Sequence, residues 1–439
     1  MYPVDATMAR RKLLYIAHRI PYPPDKGDKI RSFHQVRHLG ERHDLWCAFF
    51  VDNLCDMPHV DALRPWCREL RAIPISRRWS TLRGAVSLTA GGTITEGYLK
   101  RRAMEHVVRE WCHTVTFDAA LLFSSGMAPY RRHIRAGRVV LDFCDWDSRK
   151  WQSYADRAAG LRSYLYALEA NRLRRRERLW LDEFDACTII TAAEAQSADL
   201  PPSSPSPVVI GNGATLGRPP RTPSDQIERC IGFVGQMDYP PNVDAVRWFA
   251  DHVWPRVRPQ VPDATFEIVG RAPTRAVRAL ARRDGITVTG PVDDVRHRIE
   301  SHAVSVAPLR IGQGLQNKVL EAMAAARPVV LTSTAAAGID ALDRQHFVIA
   351  DDPATMADQI VMLLRDPARR LELGSAARRR IAFRYSWPRE MAKLESVLLG
   401  TSDGSSPPRT PGRHLLGRHV TPQPDAAVSR FSLQRDEPL

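Results

Sequence analysis

The stretch that decides the fold is A-P-L-R-I-G-Q-G-L-Q-N-K-V-L-E-A-M-A-A-A-R-P-V-V, from Ala307 to Val330. It predicts a strand, a glycine-containing loop, a helix and a second strand. Gly312 and Gly314 would let the backbone approach a ligand closely at the end of the first strand. The helix opens with Asn317 and Lys318, so backbone N–H groups, the helix dipole and a cation converge at one point. A diphosphate would be stabilised there.

Glu321 follows Lys318 by one helical turn and therefore lies on the same face of the predicted helix. A cation followed by a carboxylate at this distance suits a nucleotide sugar, with phosphates on Lys318 and a ribose hydroxyl on Glu321. An ordinary α/β unit with a cap residue and surface charges is the alternative for so short a motif. The rest of the chain favours the ligand site.

This segment resembles the donor site of retaining glycosyltransferases of the GT-B fold, in the large group four (GT4-like). That group is marked by two glutamates eight positions apart. The second glutamate matches Glu321, whereas the first falls on Gln313, a neutral amide. The runs G-x-Q-N-K-V-L-E-A-M-A and D-S-x-K-W-x-x-Y-A more closely resemble the sugar transferases associated with exosortase (PEP-CTERM) systems. The resemblance implies retaining sugar transfer in bacterial exopolysaccharide biosynthesis, without a metal ion.

Length and composition indicate a globular protein of two domains. A chain of 439 residues can bury two cores, and 44% hydrophobic with 26% charged residues is typical of soluble proteins. The apolar run Leu13–Ala17 is too short for a secretory signal, which favours a cytoplasmic location. Seven scattered cysteines without a C-x-x-C pair argue against a disulfide framework or a zinc site.

The net charge of +14 indicates an anionic partner. No segment resembles a nucleic-acid-binding module, so nucleic acid is not the expected partner. A polyprenyl-diphosphate-linked glycan acceptor, with peripheral contact to the cytoplasmic face of the inner membrane, would also favour positive charge. The basic helical segment Glu169–Glu177 is either a lipid-contacting face or a solvated one.

Alternation of strand and helix patterns predicts the α/β class with two Rossmann-like parallel-sheet domains facing across a cleft. A Pro/Ser-rich stretch at 201–207 separates them. The predicted layout is an N-terminal extension (1–12), an N-terminal acceptor domain (13–207), a C-terminal nucleotide-sugar donor domain (208–375), terminal helices crossing back to the first domain (376–399) and a disordered tail (400–439).

Ligands of parallel sheets bind beyond the carboxyl ends of the strands, where this chain places several glycines. The resemblance carries the donor site onto residues of the second domain, and the loop G-P-V-D-D would contact the base through its backbone. The predicted donor-binding residues are Gly235, Gln236, Val292, Arg310, Gly312, Gln313, Gly314, Asn317, Lys318 and Glu321.

Two segments of the first domain supply further candidates. Gly27, Lys29 and Arg31, in the loop after the first strand, would contact phosphate or acceptor, the alternative being a solvated polar loop. Asp142 and Asp145, after a buried strand, would contact the acceptor and take the proton of its hydroxyl, or else be structural.

The sequence predicts Asp147 and Ser148 as caps of the helix that follows Asp145. The predicted catalytic set is Lys318, Glu321, Asp145 and Asp142, with no metal and no cofactor beyond the nucleotide sugar, whose base stays open. A nucleotide-sugar epimerase and a non-catalytic sugar-nucleotide-binding protein remain alternatives.

Overall fold

A computed structural model describes residues 9–24, 27–197, 204–216, 229–311 and 315–401. The first domain contains a seven-stranded parallel sheet in the order β3-β2-β1-β4-β5-β6-β7. Its strands are β1 (Lys12–Ala17), β2 (Asp44–Val51), β3 (Glu69–Pro74), β4 (Phe117–Phe123), β5 (Ala136–Cys144), β6 (Ala186–Ile189) and β7 (Val208–Val209). Its helices are α1 (Gly27–Arg42), α2 (Arg77–Thr89), α3 (Ile94–Leu99), α4 (Arg102–Thr114), α5 (Asp147–Ala155), α6 (Gly160–Glu183) and α7 (Ala192–Ser197), with 3-10 segments at Leu54–Trp66 and Ser125–His133.

The second domain contains a six-stranded parallel sheet in the order β10-β9-β8-β11-β12-β13. Its strands are β8 (Cys230–Val234), β9 (Thr265–Val269), β10 (Ile286–Gly290), β11 (Val304–Ala307), β12 (Val329–Leu331) and β13 (Val348–Ile349). Its helices are α8 (Pro240–Trp248), α9 (Trp254–Val257), α10 (Arg275–Leu280), α11 (Val295–Ser301), α12 (Asn317–Ala324), α13 (Ser333–Ala336), α14 (Pro353–Arg365) and α15 (Pro367–Arg384). A final helix, α16 (Trp387–Leu399), follows, and a π-helical turn at Phe249–Val253 joins α8 to α9.

Continuous apolar runs form the central strands because parallel strands are covered by helices on both faces. In β1 every residue from Leu13 to Ala17 is buried. Helices pack on both sides of each sheet, and the first sheet accordingly separates two apolar clusters. The predicted fold class, two Rossmann-like domains in the GT-B arrangement, is confirmed.

The structure differs from the sequence prediction in the long helical region that begins at Lys150. Two helices, α5 and α6, occupy this region and pack against each other instead of forming one continuous rod. Gly160 lies between them with a φ of +60°. Glycine adopts this left-handed conformation without steric cost, which lets the chain reverse there.

The chain crosses between the domains twice. After β7 it enters the second domain through 210–214, so the domain boundary lies after Val209 rather than before Val208. Before α16 it returns, and Trp387, Met391 and Leu394 join the core of the first domain, as predicted for the terminal helices. The crossings touch, because the backbone N–H of Ala214 donates to the carbonyl of Tyr385 at 2.9 Å.

Helix α16 is also held by charge. Glu395 accepts hydrogen bonds from His38 at 2.6 Å and from His43 at 2.9 Å, both in the first domain. Burial alone would raise the pKa of Glu395, but these two partners outweigh it and lower the pKa to about 2.

The predicted tail lies outside the described residues beyond Thr401, and so do residues 1–8 of the predicted extension. Across the described parts of the chain, no helix has both the length and the apolar character needed to span a bilayer.

Candidate functional site

Lys318 stands in the first turn of α12, which begins beyond the carboxyl end of β11. Its ammonium lies 4.9 Å from the ring centroid of Phe233 in the adjacent strand β8 and donates a hydrogen bond to the Asn242 side chain. The first N–H groups of a helix lack partners within the helix. The structure therefore brings a cation and a helix start together at the carboxyl edge of the sheet.

The pKa values of Lys318 and Glu321 both move toward neutrality. Burial lowers the pKa of Lys318 to about 7, and the nearby Glu321 charge only partly opposes this effect. Burial likewise raises the pKa of Glu321 to about 7 against the attraction of Lys318. Desolvation thus exceeds the mutual attraction of the pair, and an added diphosphate would favour the charged lysine.

Asn242 is a site residue that the sequence analysis missed. It is buried, and its side-chain amide donates to the backbone carbonyl of Gln236 at 2.9 Å while its oxygen accepts from Lys318. A Cβ atom at Gly235 would lie 2.7 Å from the Asn242 Nδ2, so glycine is required at that strand end. The available signal was the P-P-N sequence that opens a helix just after this glycine.

Asn317 joins the donor half of the site to the first domain. Its side-chain oxygen accepts a hydrogen bond from Asn212 Nδ2 at 3.1 Å. A Cβ at Gly27, the first residue of α1, would lie 3.1 Å from Asn317 Nδ2. The starts of α1 and α12, both predicted as site segments, therefore meet across the cleft.

Arg31 and Asp142 disagree with the predicted roles in phosphate and acceptor contact. Their side chains are 1% and 0% exposed and form a two-bond ion pair at 2.7 and 3.2 Å. Arg31 also donates to the carbonyl of Ile210 and to Asn212, while Gln35 donates to Asp142. Both charges face protein partners, so we assign the pair to positioning α1 against the first crossing.

Lys29 also differs from the prediction. Its side chain is 1% exposed and forms an ion pair with Asp56 at 2.9 Å. This burial keeps the ammonium away from solvent, so of the three predicted loop residues only Gly27 stands at the meeting of the two domains.

The prediction that Asp147 and Ser148 cap α5 with their side chains is wrong. Trp146 holds the N-cap position without a side-chain bond. Asp147 instead accepts from the Ser125 hydroxyl and from the Lys150 ammonium, which keep its pKa below the usual value despite burial. The backbone N–H of Ser148 donates to Glu177 on α6 at 3.0 Å.

Asp145 remains accessible to solvent, and its pKa is raised by the surrounding protein. Burial and the Asp145 carboxyl raise the pKa of Glu194 to about 8, so the two acids share a proton at neutral pH. Tyr239 of the second domain interacts electrostatically with Tyr154, Lys150 and Asp145 of the first. These groups consequently face one another across the cleft.

Asp145 and Asp147 also have D-x-D spacing, which the sequence analysis passed over. Their carboxyl groups engage different partners, Glu194 for Asp145 and Lys150 for Asp147. Among the described residues, Cys230, Glu267 and His302 do have ligand atoms within 4.8 Å of one another. The His302 Nε2 atom is already bonded to Glu267 at 2.9 Å, and Arg298 pairs with the same carboxylate at 3.2 Å.

The remaining donor candidates are spread over the second domain. Arg310 forms an ion pair with Asp244 of α8, at 3.1 Å for its closer-fitting Nε contact, and lies 5.9 Å from the Trp248 ring centroid. Val292 lines an open groove of about 620 Å³ beside β10, together with Thr289. Gly312, Gln313 and Gly314 lie outside the described residues.

Comparison with known proteins places this site among sugar-nucleotide folds. Residues 228–366, in the second domain, match the family described as Glycosyl transferases group 1. A protein of Klebsiella pneumoniae, described as an uncharacterised 44.6 kDa protein in the cps region, is 28% identical over 137 residues. That match covers 29% of this chain and 35% of the Klebsiella protein, about a third of its length.

Solved structures resemble almost the whole chain. Sucrose-phosphate synthase from Thermosynechococcus elongatus superposes with a TM-score of 0.67 at 15% identity, covering 90% of this chain and 100% of that one. HepE of Anabaena, solved with UDP, gives 0.61 at 12% identity with 89% and 100% coverage. TarM gives 0.60 at 12% identity with 90% and 100% coverage. At these identities the likeness establishes the GT-B fold.

Proposed function

We propose that the protein is a retaining glycosyltransferase that moves a sugar from a nucleotide-diphosphate donor to a glycan or lipid-linked glycan acceptor. The observation that carries the proposal is the convergence of Lys318, Glu321 and Asn317 at the cleft-facing start of α12. The group 1 match over residues 228–366 supports it, as does HepE, a structural neighbour solved with UDP-glucose.

The chemistry needs charge stabilisation on the departing diphosphate. The bond between the anomeric carbon and the diphosphate oxygen breaks, and the electron pair leaves with the nucleotide. The Lys318 ammonium and the N–H groups of the first turn of α12 would stabilise that charge, which a preorganised, water-poor site does effectively. Glu321 would accept a hydrogen bond from the donor ribose.

The acceptor side of the reaction falls to the first domain. An acceptor hydroxyl attacks the anomeric carbon on the face that the diphosphate leaves, so the configuration is retained. Its proton passes to the departing diphosphate oxygen, while Asp145 orients the acceptor by a hydrogen bond. Gly27 leaves room for this contact because any larger side chain would approach Asn317.

We place this activity at the cytoplasmic side of a bacterial inner membrane, in exopolysaccharide biosynthesis. Support comes from the resemblance to exosortase-associated transferases and from the position of the Klebsiella relative in a region named cps. TarM, another neighbour, was solved with UDP and the acceptor-like compound alpha-GlcNAc-glycerol. A polyprenyl-diphosphate-linked glycan is the acceptor class that we propose here, with no metal and no cofactor.

Donor turnover in the wild type and in Lys318→Ala tests the proposal. The wild type should release nucleoside diphosphate from one member of a panel of nucleotide sugars, and the variant should lose about 10²–10³-fold in turnover. Lys100→Ala, at an exposed lysine of the first domain, is the matched control. Nucleotide binding without turnover in the wild type would identify a binding protein instead, and altered donor stereochemistry without acceptor would identify an epimerase.

A further inference from the structure

Helix α2 turns its small side chains inward and its large apolar side chains outward. Its buried positions are Ser80, Gly84 and Leu88. Trp79, Leu82 and Val86 are 68%, 53% and 58% exposed. Helices of a globular domain normally bury their apolar stripe, so this helix is oriented for a contact that the folded chain does not supply.

The inward orientation is fixed by close packing on α3. A Cβ at Gly84 would lie 2.9 Å from Ile94 Cγ2, so only glycine allows the two helices this approach. Arg101 and Arg172 hold the same hairpin, because Arg101 bonds the Ser80 hydroxyl and Arg172 donates to the carbonyl of Gly92 at 2.7 Å. Rotation of α2 to bury its tryptophan would break these contacts.

The outward stripe is continuous and carries positive charge. Trp79, Leu82 and Val86 are spaced i, i+3 and i+7, which places them on one face of the helix. The helix contains three arginines and no acidic residue. Arg77 is paired with Asp52, while Arg78 and Arg83 are exposed beside the apolar stripe. A basic helix with exposed tryptophan and leucine suits the interface of an anionic bilayer.

The position of α2 links this face to the cleft. The helix begins just after β3, at the carboxyl edge of the first sheet. A series of ion pairs then runs from Arg77 through Asp52 and Arg19 to Asp28, at 3.1, 3.6 and 2.8 Å. Asp28 follows the glycine that meets Asn317. A surface held by α2 would therefore lie beside the acceptor half of the cleft.

We propose that α2 docks the first domain on an anionic lipid bilayer, with Trp79, Leu82 and Val86 inserted among the headgroups. Arg78 and Arg83 contact the lipid phosphates. This surface differs from the one that the sequence suggested, Glu169–Glu177. Within that segment Arg172 and Arg176 bind the α2–α3 hairpin, since Arg176 pairs with Glu96 at 3.3 Å.

Co-sedimentation with vesicles tests this inference without reference to sugar transfer. The full chain should bind vesicles of phosphatidylcholine mixed with phosphatidylglycerol, and binding should weaken as salt is raised. The combined variant Trp79→Ala, Leu82→Ala, Val86→Ala should partition at least about tenfold less, because each lost side chain removes apolar burial. The variant Arg78→Gln, Arg83→Gln should lose binding mainly at low salt.

The matched control is Leu342→Ala, Leu371→Ala, Phe383→Ala, three comparably exposed apolar side chains of the second domain. It should bind vesicles like the wild type, and circular dichroism with thermal unfolding should show both triple variants folded. No vesicle binding by the wild type overturns the proposal, as does equal loss in both triple variants. Light scattering that shows a dimer dissociated by the α2 variant, without vesicle binding, would assign the face to a second copy and also overturn it.

Discussion

Replacing Asp142 with leucine should destabilise the protein by about 3–5 kcal/mol, because the change strands the Arg31 guanidinium in the core. The substitution removes two charge-assisted hydrogen bonds, at 2.7 and 3.2 Å, and the acceptor of the Gln35 amide. Charged hydrogen bonds contribute about 1.5–3 kcal/mol each, so two of them account for this range. Arg31 would keep its bonds to Ile210 and Asn212.

The assay is equilibrium unfolding in urea, followed by circular dichroism, for Asp142→Leu, Arg31→Met and the double variant. The double variant should cost less than the sum of the singles by about 2 kcal/mol or more, because it leaves no unpaired charge. The control cycle uses the exposed pair of Arg37 and Glu41 at 2.8 Å, whose coupling should stay below about 0.5 kcal/mol. Additive costs for the buried pair would refute the reasoning.

Three further predictions concern the site and its supports. Affinity for a nucleotide sugar should fall by up to about tenfold per pH unit above 7, because the Lys318 pKa of about 7 makes the lysine neutral there; calorimetry on Lys318→Arg, which stays charged, should show a flatter profile. Stability from Glu395, whose folded pKa of about 2 is depressed, should be complete above the unfolded value and decline as pH falls toward 2, by on the order of 3 kcal/mol; Glu395→Gln should remove that acid dependence in urea titrations. Gly27→Ala should weaken turnover more than it weakens folding, since the added methyl approaches Asn317 at 3.1 Å; equal effects on both would contradict the prediction.

Much of the fold follows from local sequence because buried parallel strands leave a strong signal. The apolar runs of β1 and β4, and the alternation in the second half, define the sheets without further information. The strand β3 escaped because E-L-R-A-I-P mixes charged and apolar residues at the sheet edge. The break at Gly160 escaped because glycine inside a helical pattern can either continue the helix or reverse it.

The site was predictable where one helix supplies it and unpredictable where distant segments meet. Lys318 and Glu321 share a turn, so spacing alone places them together. Arg31 and Asp142 are more than a hundred positions apart, and nothing local shows that their charges neutralise each other in the core. Asn242 was missed for the same reason, since its contact with Lys318 depends on how β8 and β11 lie side by side.

The adjacent interdomain crossings restrict how the lobes can move. Two connections that run side by side, tied by the bond from Ala214 to Tyr385, behave like a two-ply hinge with one bending axis. Gly213 lies against the backbone of Trp387 with no room for a side chain, so the plies cannot slide past each other. Opening and closing of the jaws should therefore follow a single arc, with twisting suppressed, and bring the same pair of rims together on every cycle.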